Sequence, residues 1–266
     1  MFDHDPADSS RQGRLCTETA SARGKLRISW ARHADEVREA QRLRWKIFVD
    51  ELGARTGSPE PGYDIDIFDP YCDHLLARDS EDRLVGTYRV LPPHQAKRIG
   101  GLYSETEFDL TRLLHLRPRL LELGRACVHR DHRSGGVIMA LWAGLADYMR
   151  RQELQAMIGC SSVSMRDGGH YAASLWARLR ATHLAPAEDQ VQARVALPVD
   201  NLRQDLPTEP PALLKGYLRV GARVCGAPAW DPDFNTADCL LLLATSRMDH
   251  RYSRHFLKQS LTENMF

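Results

Sequence analysis

Neither a disulfide framework nor a zinc site can be built from the cysteines of this 266-residue chain. The six, Cys16, Cys72, Cys127, Cys160, Cys225 and Cys239, include no Cys-x-x-Cys pair and no regular spacing. They read as reduced thiols, and Cys127, Cys160 and Cys239, set in apolar runs, as small buried hydrophobes of a cytosolic protein. Long apolar stretches are missing too: the longest, Cys239 to Ala244, is far too short to span a bilayer. A formal net charge of +1 leaves no global field to draw the chain onto nucleic acid or anionic lipid, so no nucleic-acid partner is expected and any basic site must be local. There are no internal repeats. What is present is ordinary globular composition, 43% hydrophobic and 27% charged, enough for a sizeable core.

Residues 1–24 have mixed charges with Ser, Gly and Ala, which predicts a disordered leader that is neither secretory signal nor anchor. Order is expected from Lys25. Leu26, Ile28 and Trp30 alternate as a strand, and Asp35 can cap a helix through Val37, Ala40, Leu43, Ile47 and Phe48. A breaker-rich loop over 53–62 follows. His74 to Arg78 and Leu84 to Leu91 read as a hairpin, then comes a polar connection with a short helix around Leu110 to Leu114. Leu120 to His129, Gly135 to Arg151 and Ala156 to Val163 make a βαβ unit, since a continuous apolar run gives way to helical spacing and returns. Tyr171 to Thr182 reads as a helix, Val191 to Leu197 as a strand, Pro211 to Val224 as a helix, and Asp238 to Thr245 as a strand. The expected fold is one α/β domain over 25–246, a mostly antiparallel sheet with one parallel crossover, flanked by helices. Over 247–266, Arg247, Arg251, Arg254 and Lys258 share a helical stripe beside Met248, Tyr252 and Phe256. That segment could dock on an acidic carrier protein, lie on the inner membrane surface, or pack on the domain.

The most informative stretch runs from Glu122-Leu-Gly-Arg125 into His129-Arg-Asp-His-Arg133-Ser-Gly-Gly136. A strand carrying a carboxylate and a guanidinium enters a basic, glycine-containing turn that opens a helix. Backbone N–H groups and helix dipole there can hold a phosphate, with Arg130, Arg133, Gly135 and Gly136 as its cradle, or the turn can be a solvated loop. Arg133-Ser-Gly-Gly136 resembles the pyrophosphate turn of the Gcn5-related acetyltransferases (GNAT). Ile138 replaces a small residue of that pattern, which points away from coenzyme A and toward the single phosphodiester of 4'-phosphopantetheine.

A second resemblance, to acyl-homoserine-lactone synthases, rests on Arg44 and Phe48, Asp66 and Asp69, Arg89 in Gly86-Thr-Tyr-Arg-Val-Leu-Pro92, and Glu122 with Arg125. The fullest resemblance is to the ornithine Nα-acyltransferases of ornithine-lipid synthesis. It is carried by Cys72-Asp-His-Leu-Leu76, Glu122 to Cys127, Ala140-Leu-Trp142, Gly159-Cys-Ser161, His183-Leu-Ala-Pro186, Leu214 to Arg219 and Asp233 to Asp238. It implies a GNAT-like fold, acyl transfer from a (3-hydroxy)acyl carrier protein thioester to the α-amine of ornithine, and lyso-ornithine lipid as product. The implied partners are acyl carrier protein and ornithine, with no permanently bound cofactor, in the cytoplasm and in peripheral contact at most with the inner membrane. Acylation of another amine, or a non-catalytic carrier-binding module, are the competing readings.

Thioester aminolysis needs an uncharged amine, hence a base. Glu122, an interior strand carboxylate, is the expected one, and because Arg125 lies three residues on, the two are expected on opposite faces. Tyr171 is the expected acid for the leaving thiolate, or else a packed aromatic. Ornithine's carboxylate and ammonium groups call for arginines and acids: Arg89, Arg125 and Asp73, then Arg44 and Asp69. Asp66 and Asp69 could equally organise the first helix through Arg42 or Arg44. His129 and His132 lack a third ligand, so no metal is expected. Trp142, Leu145, Trp176 and Leu179 read as core, with acyl-tunnel lining open to some of them.

Overall fold

A computed structural model describes residues 17–19 and 26–247. The expected stripe at Arg251, Arg254 and Lys258 and most of the expected leader lie outside these residues. Three leader residues, Thr17–Thr19, form a strand (β1) that pairs with Leu26–Trp30 (β2). The helix α1, Ala34–Trp45, is capped by His33 rather than Asp35: Glu36 reaches back to the backbone N–H groups of Arg32 and His33. It runs on into a widened π-helical turn, Lys46–Glu51.

Strands β3 (Asp73–Arg78) and β4 (Leu84–Leu91) make the expected hairpin. The connection after them holds a helix that the sequence reading missed, α2 (Pro93–Ile99), opened by proline and closed by Gly100 with φ +91. It continues through the turn Tyr103–Thr106, a two-residue strand β5 (Phe108–Asp109) and the helical stretch Thr111–Arg119. The βαβ unit then follows as expected: β6 (Leu120–Val128), α3 (Gly136–Arg151) and β7 (Ala156–Ser164), with α4 (His170–Thr182) next. Of the expected strand Val191 to Leu197 only β8 (Gln192–Ala193) forms, paired with β5. The expected helix over 211–224 is shorter, α5 (Ala212–Arg219), and ends in β9 (Arg223–Val224). An unexpected strand β10 (Ala229–Asp231) precedes β11 (Thr236–Ala244).

The described residues build a main sheet in the order β1-β2-β3-β4-β6-β7-β11-β10, with β9 also on β11, and a separate two-stranded sheet of β5 and β8. Every pairing is antiparallel except β6 with β7. Helix α3 packs on one face through Leu141 and Leu145 against Leu75, Tyr88 and Val90, and α4 and α5 extend that layer over Val163 and Leu241. Helix α1 and the connection from Phe108 to Leu120 cover the other face. No described helix is long and apolar enough to cross a membrane.

Candidate active site

The only parallel pairing among the described strands is short. β6 and β7 stay together from Leu120↔Ala156 to Glu122↔Ile158 and pair no further, so the sheet opens between them. A β-bulge in β6 accompanies the opening: Thr87 faces Cys127 but Arg89 faces Gly124, and Arg125 takes φ +50. One extra residue flips every later side chain to the other face. Leu121 and Leu123 point to α3 before the bulge, Ala126 and Val128 after it. Arg125 therefore shares a face with Glu122 and lies over the Tyr103 ring at 4.9 Å, against the expectation of opposite faces.

Through this opening runs a cavity of about 800 Å³. On the α3 side its walls are apolar, with Tyr88, Trp142, Leu145, Met157, Tyr217 and Leu241. Trp142 stacks on Tyr217, whereas Trp176 and Leu179 stay in the α4 core. On the opposite side it reaches Tyr103, Arg125, Cys160, Asp231 and Asp238. A second, polar pocket of about 470 Å³ adjoins it there and shares Tyr103, Arg125, Asp231 and Phe234 while adding Asp66 and Glu107.

The expected arginines and aspartates gather into one buried network. Arg44, with no exposed surface, binds Asp64 at 2.8 Å and Asp69 at 2.6 Å. Arg89 bridges Asp66 at 2.6 Å and Asp69 at 2.8 Å, and Arg125 lies 3.2 Å from both Asp64 and Asp66. Burial works to raise Asp69, but Arg44 and Arg89 outweigh it and hold the acid well below the usual carboxylate range. Asp69 thus pairs with Arg44, while Arg42 binds the Tyr63 hydroxyl. Arg44 and Arg89 are committed to aspartates, and of the three arginines Arg125 alone lines the cavities. Asp73 is not part of this group: His74 points in, its ring 3.3 Å from the Asp69 carbonyl, so Asp73 faces the other side and accepts from the Tyr148 hydroxyl at 2.8 Å.

Glu122 is buried, 4% exposed, and its carboxylate is in use. It accepts from the Tyr103 N–H at 2.6 Å, the Ser104 N–H at 2.7 Å and the Ser104 hydroxyl at 2.6 Å. Burial pushes its pKa up against these donors. It lines neither cavity and fixes the turn that carries Tyr103 to the opening. Tyr171 is also elsewhere: its hydroxyl donates to the Glu209 carbonyl, away from both cavities.

The acids that do meet the opening escaped the sequence reading. Glu107 follows the Tyr103–Thr106 turn, Asp238 sits on β11, and Asp231 on β10. Glu107, Asp238 and the Cys160 sulfur present atoms within 4.8 Å of one another. Burial, then repulsion from Asp238 and Asp231, raises Glu107, and burial raises Asp238. Burial and then Glu107 push the Cys160 thiol well up, so it stays protonated. Cys127, Cys225 and Cys239 are core residues, whereas Cys160 is only half-buried and lines the cavity. A lone Asp in the apolar run Ala237 to Ala244 was the available signal for Asp238; Glu107, in an aperiodic connection, gave none.

The basic turn has the expected shape, with Gly135 at φ +97 starting α3 at Gly136. It lies outside both cavities. Arg133 forks onto Glu51, with Nη2 at 2.9 Å, and its Nε donates to the Val128 carbonyl at 3.0 Å. The Arg130 side chain is 71% exposed.

Comparison with known proteins agrees with this architecture. Residues 43–143 match the family model of an acetyltransferase (GNAT) domain. The chain is 37% identical over 254 residues to the L-ornithine N(alpha)-acyltransferase of Rhodobacter capsulatus, covering 90% of this chain and 98% of that one. To the enzyme of the same name from Brucella abortus it is 36% identical, covering 88% and 89%. Among solved structures, a CoA-dependent acyl-homoserine lactone synthase superposes with a TM-score of 0.51 at 17% identity, covering 85% of this chain and 82% of that one. An N-acyl amino acid synthase from uncultured soil microbes gives 0.51 at 12% identity, covering 84% and 92%. These two likenesses concern the fold alone.

Proposed function

Because the chain belongs to the L-ornithine N(alpha)-acyltransferase family, we propose that it moves a fatty acyl group from a thioester to the α-amine of ornithine. The donor in this reading is a (3-hydroxy)acyl carrier protein, and the product is lyso-ornithine lipid. The carrying observation is the opening between β6 and β7, which joins an apolar cavity on one face of the sheet to charged walls on the other. An acyl chain suits the first side and a zwitterionic amino acid the second. Because Arg44 and Arg89 line neither cavity, Arg125, itself 3.2 Å from Asp64 and Asp66, is in this reading the guanidinium that meets the ornithine carboxylate. The edge of β7 beyond Ile158 has no β6 partner, which supports its amides as donors to the thioester oxyanion.

Carrier protein is favoured over coenzyme A because the phosphate turn is sparse. Arg133 must exchange Glu51 for a phosphate, and a single phosphodiester asks less of such a site than a pyrophosphate. Reaction in the cytoplasm, with the product passing to the adjacent membrane, completes the reading. The test is a reconstituted assay with acyl carrier protein thioesters, coenzyme A thioesters and a panel of amines that includes ornithine, glutamine and glycine. Formation of acyl-ornithine from the carrier-bound donor is the expected result. Transfer only to another amine, or carrier binding without thioester consumption, overturns the proposal.

A further inference from the structure

We propose that Glu107 and Asp238 work as one proton-accepting pair that takes the α-ammonium proton of the amine substrate, the task expected of Glu122. The inference rests on the proposed function. Its first support is position: Asp238 lines the charged side of the larger cavity, Glu107 lines the adjoining pocket, and the two are near neighbours. They stand together on the side that suits the amino acid, where the larger cavity meets the adjoining pocket. Glu122, two strands from Asp238 in the same sheet, has its oxygens taken up by Tyr103 and Ser104.

The second support is what Glu107 lacks. Both its oxygens are shut from solvent and neither meets an arginine at salt-bridge distance among the described residues, unlike those of Asp66 and Asp69 nearby. The groups facing the pair are Tyr103 from its own turn, Cys160 and Ser162 from β7, Asp231 from β10 and Thr236 from β11, whose hydroxyl donates to Asp238 at 2.8 Å, while Arg125 and Glu122 of β6 act on Tyr103 and Cys160. Only Arg125 among these is cationic, and it is shared with Asp64 and Asp66. Two carboxylates so close cannot both ionise easily, so the pair titrates as a unit above the ordinary carboxylate range. A base of that strength suits an ammonium near neutral pH. A metal ion held by the same three side chains would need the Cys160 thiolate and both carboxylates ionised, the charge state that burial opposes.

The pair takes one proton from the α-ammonium and passes it to solvent. The freed nitrogen lone pair forms the C–N bond at the thioester carbonyl, the C–S bond breaks, and solvent carries the second nitrogen proton to the leaving thiolate. Amide, free thiol and one solvent proton result.

The experiment compares wild type, Glu107→Gln and Asp238→Asn with acyl carrier protein thioester as donor and three acceptors, ornithine, glycine and hydroxylamine. Ornithine needs deprotonation; hydroxylamine is uncharged at neutral pH. Each variant should lose about 10²- to 10⁴-fold in kcat on ornithine. Each should stay within a few-fold of wild type on hydroxylamine, and the residual ornithine rate should climb with pH as free amine accumulates. Full ornithine activity in both variants overturns the pair, as does equal loss with ornithine and hydroxylamine, which marks a structural role. Activity abolished by chelation and restored by zinc overturns it in favour of a metal. A wild type that transfers to hydroxylamine and glycine but never to ornithine sinks the substrate assignment while the pair stands, and a wild type inert with every amine sinks both.

Discussion

Two groups of acids flank the same arginine, and they are built on opposite terms. In the network beneath α1, Asp64, Asp66 and Asp69 meet Arg44, Arg89 and Arg125 at salt-bridge distance, and every acid has a cation. At the opening, Glu107, Asp231 and Asp238 crowd one another with no arginine of their own. In the first group Asp66 and Asp69 are held below the ordinary carboxylate range by their arginines; in the second Glu107 and Asp238 are pushed above it by burial and by one another. A buried acid paired with a cation is a fastener, whereas one left beside another acid keeps a proton to exchange.

The comparison can be broken hardest at Asp69. Asp69→Ala leaves Arg44 and Arg89 short of a buried partner and should cost about 3–5 kcal/mol, read as a lower urea midpoint. An unchanged midpoint would mean that the network fastens nothing. A middle effect is expected at Glu122, which belongs with the fasteners: Glu122→Gln keeps the shape but swaps one acceptor oxygen for an NH2 group facing N–H donors. A loss of about 1–3 kcal/mol is expected, with the hydroxylamine and ornithine rates falling together. A selective loss on ornithine would return Glu122 to the role of base. The gentlest test is pH. Asp66 and Asp69, depressed in the fold, give stability that is present above the ordinary aspartate pKa and lost as pH falls through the folded values. Glu107 and Asp238, raised in the fold, give stability that is present below their unfolded pKa and lost as pH rises through the folded values. Urea midpoints should therefore fall on both sides of a plateau, and Glu107→Gln should flatten only the alkaline side.

Much of this was legible in the residues. The periodicity from Leu120 to Val163 changes twice, and the parallel crossover stands where it changes. Arg44, Asp69, Arg89 and Arg125 were picked out and do assemble, because buried charges in apolar periodic segments have few places to go but to one another. The bulge was not legible: one inserted residue at Arg125 leaves an apolar pattern that reads as a plain strand, yet it decides which face the guanidinium meets. Glu107 was hidden because the chain from Pro92 to Pro118 follows no period. Short strands such as Ala229–Asp231 owe their form to β11 beside them, a partner that local propensity does not contain.

The parting of β6 from β7 has a consequence for the order of events. Under the proposed function, lipid donor and amino acid approach from opposite faces and touch only inside the gap, so neither must leave before the other comes. With the Cys160 sulfur kept as a thiol, no covalent waystation is called for. In that reading the finished amphiphile is threaded through the protein, its head on one side and its tail on the other.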